Sequence, residues 1–149
     1  MGEILSFEAD RRTINIAVNS IGTGLSKEQR AKLFPSFGRL YPAGNNQLAR
    51  ADDIDQIKSA VESISEYSSY FQPVNAHGGG GGGADEEMHT AAESLEDHFF
   101  RREVELNKLA FLQQFSFAVF YAFFKLKEQE IRSLTWISEV RYRFVMLSG

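Results

Sequence analysis

Glu128 and Glu130, inside the run Lys127-Glu-Gln-Glu-Ile-Arg132, are the first side chains that invite a chemical reading. Two carboxylates act as general acid and base only when both converge on one substrate atom. Residues two apart on a helix point to different sides, so this pair makes no shared dyad. Each is placed instead to meet its own partner three or four residues away, Lys127 with Glu130 and Glu128 with Arg132. His77, His89 and His98 stand near Asp85, Glu86 and Glu87, a set with the donor chemistry of a metal site. His77, the three acids and His89 flank six consecutive glycines, Gly78 to Gly83, in a polar loop that holds no ligand in a fixed geometry, so no metal is assigned. Gly22-Thr-Gly24 lacks both the preceding strand and the following Gly-Lys-Ser/Thr of a nucleotide loop. There is no cysteine, which removes disulfides, thiolate nucleophiles and cysteine zinc sites. The residues therefore predict no catalytic group, no cofactor and no metal.

The elements that would position these groups read as helices. From Phe99 to Glu139 apolar residues recur at spacings of three, four and seven, including Val104, Phe111, Phe115, Val119, Ala122 and Leu126, which predicts a long helical rod. Between Leu109 and Leu126 nearly every face is apolar, so this part is expected inside a helical assembly, with charge gathered from Lys127 and an apolar stripe resuming at Leu134, Trp136 and Ile137. Upstream, Glu3 to Val18 is amphipathic, with Glu8 spaced to meet Arg11 or Arg12. Ser26 and Gln29 have capping-box spacing and open a short helix ending before Pro35. Residues 38–46 read as a loop, followed by short helices over 47–50 and 53–64 and an aromatic plug of Tyr67, Tyr70 and Phe71. The glycine run makes 72–90 a flexible tether, after which Thr90 or Ser94 caps the final helix. The organisation expected is a helical segment over 1–71, a Gly-rich loop over 72–90, long helices over 91–139 and an atypical tail over 140–149.

Composition narrows the partners. With 149 residues, 43% of them apolar and 13 of them Phe, the chain can build a core. A net charge of −4 without a basic stripe argues against phosphate-neutralising binding to nucleic acid. The opening MGEILSFEADRR lacks the basic-then-apolar order of a secretory signal. The apolar stretch from Phe115 to Phe124 is shorter than the roughly 20 residues that cross a bilayer, so no transmembrane helix is predicted.

Four blocks in order carry a resemblance: GEILSFEADRR with INIAVNSIGT, RAKLFPSFGRLYP, QLARADD, and FYAFFKLKEQEIRSLTWISE. Together they resemble the C-terminal portion of the subunit d family of V-type (vacuolar) proton ATPases, over most of the chain up to Glu139 outside 72–90. The positions matching family blocks are Glu8, Asp10 and Arg12 near the start and Lys127, Glu128, Glu130, Arg132 and Trp136 near the end. The resemblance implies an all-α fold, part of a funnel-like protein of several helical modules. It also implies a non-catalytic role at the cytoplasmic face of vacuolar or other acidic endomembranes, where the proteolipid ring and the central-stalk subunits are the partners. Under that reading the two charged groups hold helices in register and do no chemistry. A helical scaffold that self-associates without a pump role is the alternative.

Overall fold

A computed structural model describes the backbone of residues 1–71, 84–113 and 116–147, and their side chains apart from those of 84–94, 144, 145 and 147. The described residues form seven helices and no strand, an all-α chain: α1 (Gly2–Asn19), α2 (Lys27–Leu33), α3 (Ala43–Arg50), α4 (Ile54–Val61), α5 (Ser65–Tyr70), α6 (Ala84–Ala110) and α7 (Ala118–Leu147). They divide into two compact units, Gly2–Glu103 and Val104–Gly149, and α6 contributes residues to both.

Ile4, Phe7, Ile14, Ala17 and Val18 give α1 one continuously buried stripe, which α2, α3 and α4 cover. Leu48 of α3 and Ile57 and Val61 of α4 complete that aliphatic layer. Farther along, an aromatic centre joins α1, α5 and α6. Phe99 meets Phe7 and Tyr70 edge-on at centroid distances of 6.0 and 5.5 Å, and Tyr67 at 6.4 Å. Offset and edge-on rings add to the area they bury, so one ring fixes the mutual angles of three helices. Of the expected plug of Tyr67, Tyr70 and Phe71, the two tyrosines are buried in this centre, while Phe71 lies past the end of α5 and is only half-buried.

Local signals hold where the partner is near in sequence. Ser26 Oγ accepts from the Gln29 N–H at 3.2 Å, and the Gln29 side chain accepts from the Ser26 N–H at 3.0 Å, a complete capping box on α2. Ser26→Ala is expected to lower stability by about 1 kcal/mol, read from the urea midpoint at unchanged slope. Asp53 caps α4 in the same way, accepting from Gln56 N–H at 2.8 Å.

Several expectations change. The loop expected over 38–46 is already helical from Ala43, because its turn-forming residues serve packing. Gly44 lies so close to Leu40 that a Cβ would meet the Leu40 Cδ2 at 2.9 Å, and Asn45 Nδ2 donates to the Pro35 carbonyl at 2.9 Å. The helix expected over 53–64 ends at Val61, and Ser65 opens α5. Helix α6 begins at Ala84, so neither Thr90 nor Ser94 starts it; residues 84–90 are helical, and the glycine run at 78–83 lies outside the described residues.

The rod expected from Phe99 to Glu139 is two helices. The N–H groups of Phe111, Leu112 and Gln113 donate to carbonyls three residues back at 3.1, 3.1 and 3.2 Å, which tightens and closes α6. Ser116 Oγ then accepts from the Ala118 N–H at 3.2 Å and opens α7. Nor is the segment from Leu109 to Leu126 enclosed on all sides. Leu109, Phe111, Leu112, Phe117, Phe120, Phe123 and Phe124 are all exposed, while Ala118 and Ala122 are buried. From Glu130 to Arg143 every side chain of α7 is exposed, and the helix passes through residue 140 without a break.

Candidate functional site

The most organised polar centre surrounds Asp10. It is buried on α1 and accepts three hydrogen bonds: Oδ1 from the Leu40 N–H at 3.1 Å, and Oδ2 from the Arg39 N–H at 3.0 Å and the Tyr67 hydroxyl at 2.9 Å. One carboxylate therefore ties α1 to the 38–42 segment and to α5. Gly38 makes the approach possible. Its φ of +118° favours glycine, and a Cβ there would stand 2.2 Å from Asp10 Oδ1.

Burial pushes the Asp10 carboxyl above its ordinary value of 3.8, while the Leu40 N–H, the Tyr67 hydroxyl and the Arg39 N–H pull the other way. Burial, with the adjoining Asp10 charge, also drives the Tyr67 phenol strongly upward, so it stays a donor. A carboxyl whose folded value lies above its unfolded one favours folding most when protonated, and that contribution is lost as pH rises through the folded value. The stability of the wild type relative to Asp10→Asn should therefore fall as pH is raised above 3.8 and then level, measured by urea melts in parallel buffers.

A second clasp lies beside it. Glu66 of α5 pairs with Arg39 at 3.1 Å and with Arg102 of α6, and accepts from the Tyr70 hydroxyl at 3.1 Å. Glu8 holds Arg11 at 3.0 Å, and Arg11 reaches Glu103 of α6 at 3.9 Å. Arg12 is exposed and lines, with Glu8, Arg11, Asn15 and Asn19, an open groove of about 590 Å³. Arg30 of α2 is buried with its guanidinium donating to the Ser20 and Ala51 carbonyls, just past the ends of α1 and α3. Cations are stabilised there by the helix dipoles.

The C-terminal charges are arranged differently. Lys127 and Glu130 pair at 2.6 Å as their spacing predicts. Glu128 does not take Arg132; it pairs back with Lys125 at 3.3 Å. The expected Glu128–Arg132 bridge requires the fully exposed part of the helix, whereas Lys125 is only 20% exposed at its side chain and so more constrained. Arg132 and Trp136 are exposed. Thus in the early group Asp10 reaches other elements directly while Glu8 pairs within α1, with Arg11, and the later group pairs within α7.

Sequence reasoning passes over Tyr67, Gly38, Glu66 and Arg30 as polar partners. A tyrosine in an apolar plug needs a mate for its hydroxyl, a signal for Tyr67. Nothing local marks Glu66 or Arg30, whose partners lie in other elements. Chemically, Asp10 is saturated by donors and buried, which suits bracing and not turnover. Among the described residues no three His, Cys, Asp or Glu side chains gather as a metal site, and no helix is long and apolar enough to cross a membrane.

Comparison with known proteins meets this architecture. A profile described as ATP synthase (C/AC39) subunit matches residues 1–143. The V-type proton ATPase subunit d of Neurospora crassa is 50% identical over 140 residues, 93% of this chain and 38% of that protein. The subunit d of Dictyostelium discoideum is 48% identical over 141 residues, 93% of this chain and 35% of that protein. That of Saccharomyces cerevisiae is 37% identical over 140 residues, with 93% and 35% covered. The chain thus spans little more than a third of the length of these relatives. With four separated sequence blocks, an all-α fold and a profile match over nearly its whole length, this chain belongs to the ATP synthase (C/AC39) subunit family.

Proposed function

We propose that this chain serves as a non-catalytic part of the membrane sector of a V-type proton ATPase, coupling rotation of the central stalk to the proteolipid ring. The observation that carries the reading is its identity of 37% to 50%, across 93% of its length, to proteins named V-type proton ATPase subunit d. Its physical support is the density of satisfied polar joints around α1. A part that transmits torque must resist shear, and close-packed helices locked by buried hydrogen bonds deform little. In this role Asp10 braces α1 against neighbouring elements, and Glu8 holds the Arg11 that reaches Glu103 of α6. Arg12, Lys127, Glu128, Glu130, Arg132 and Trp136, all exposed, face other subunits at the cytoplasmic face of an acidic endomembrane.

Exchange of residues 1–143 for the matching region of the Neurospora subunit d tests the proposal in a complete protein. The chimera, expressed in cells lacking their own subunit d, should co-purify with proteolipid and central-stalk subunits and restore ATP-driven acidification of vesicles. A chimera that folds but co-purifies with neither would overturn it. The self-associating scaffold draws its support from the exposed apolar surface of α7.

A further inference from the structure

In the Gly2–Glu103 unit the large apolar side chains left in water are gathered in one stretch. Among its described residues the three most exposed are Leu33, Phe37 and Tyr41, at 54%, 52% and 48%. They stand four residues apart, so neighbouring members lie within about 14 Å of each other even along a fully extended chain. Single apolar residues are ordinary on a surface, and a cluster is not.

The backbone that carries them is irregular between the end of α2 and the start of α3, yet it is fixed from inside. Asn45 Nδ2 donates to the Pro35 carbonyl at 2.9 Å, and Asp10 accepts from the Arg39 and Leu40 N–H groups at 3.0 and 3.1 Å. The Leu40 carbonyl accepts from the Gly44 N–H at 2.7 Å, and the Leu40 side chain is buried. A rigid frame thus presents the outer side chains. Charge on the stretch is positive. No acid occurs between Glu28 and Asp52, while Lys32 and Arg39 border the apolar group. The acids that bond to the stretch from other elements are spent, Asp10 under three donors and Glu66 between Arg39 and Arg102. Lys32 is exposed and has no carboxylate partner among the described residues.

We infer that Leu33, Phe37 and Tyr41 dock a helix of another polypeptide, one whose apolar stripe is bordered by carboxylates. Aromatic anchors that are held in place before binding lose little freedom on docking. The described residues form no strand, so an extended peptide finds no sheet edge to pair with. A lipid surface also takes apolar groups beside cations. It is fluid and fits any shape, so a preformed frame gains nothing there, and a single unshared lysine attracts it weakly. The docking surface is independent of the pump assignment.

Fluorescence anisotropy of the full chain with two labelled helical peptides of about 15 residues is the test, one with a leucine stripe bordered by glutamate and one with the same stripe bordered by lysine. The glutamate peptide should bind at least about 10-fold more tightly at low salt, against the preference that a net charge of −4 would give. Phe37→Ala should weaken that binding at least about 10-fold, and Lys32→Glu at least about 5-fold. Phe124→Ala, which removes an exposed ring from α7, should leave it unchanged, with helicity of each variant checked by circular dichroism. Equal binding of both peptides, no binding of either at about 1 mM, or equal loss with Phe124→Ala overturns the docking site. Capture of the chain by vesicles of about one-third phosphatidylserine in phosphatidylcholine, abolished by Phe37→Ala, overturns it in favour of a lipid surface.

Discussion

Asp10→Ala is expected to lower the stability of the chain by about 3–5 kcal/mol at neutral pH, a drop in Tm of more than about 10 °C. The loss does not come from the carboxylate alone, which burial makes costly to ionise. It comes from what is left behind. The Tyr67 hydroxyl and the Arg39 and Leu40 N–H groups all point at Asp10, and after truncation none has an acceptor. Each orphaned donor costs about 1–3 kcal/mol if no water enters. Tyr67→Phe removes one donor and keeps the acceptor, so it should cost no more than about 1.5 kcal/mol. Denaturant melts of the two variants side by side measure the difference, and equal losses would show that packing and not acceptor removal dominates.

Gly38→Ala should be comparably damaging for a different reason, costing more than about 3 kcal/mol. The new methyl group would occupy the space of Asp10 Oδ1, and the residue would keep a φ of +118° that alanine resists. Only the first of these conflicts involves Asp10. In an Asp10→Ala background the collision disappears and the backbone strain remains, so the double variant should be more stable than the two separate losses would make it. A double-mutant cycle with an interaction of about 1 kcal/mol or more confirms that the glycine is there for the carboxylate, and strict additivity refutes it.

The sequence showed what depends on near neighbours. The amphipathic stripe of α1, the Ser26 box, the Glu8–Arg11 and Lys127–Glu130 pairs and the Tyr67–Tyr70 plug all rest on contacts within a few residues or on simple periodicity. Asp10 was visible as a member of a charged block, but its partners stand 29, 30 and 57 residues away, and no local pattern reports them. The end of α6 at Ala110 and the start of α7 at Ala118 were hidden because apolar spacing continues through both; periodicity records which faces are greasy and is blind to a hydroxyl that accepts a backbone bond. The same blindness explains α7. A stripe of Phe, Ile and Leu states that something should cover it, and not whether the cover belongs to the same chain.

Arg30 has a consequence of its own. Several cations in this fold answer a carboxylate, and such a bond weakens as dissolved ions crowd around it, as expected for Lys27 and Asp52 at 2.7 Å on the surface. Arg30 answers carbonyl oxygens of the backbone, sealed from water, at the ends of two helices. Counter-ions cannot reach it, so the corner where α1, α2 and α3 meet should keep its geometry in brine that loosens the surface bridges around it.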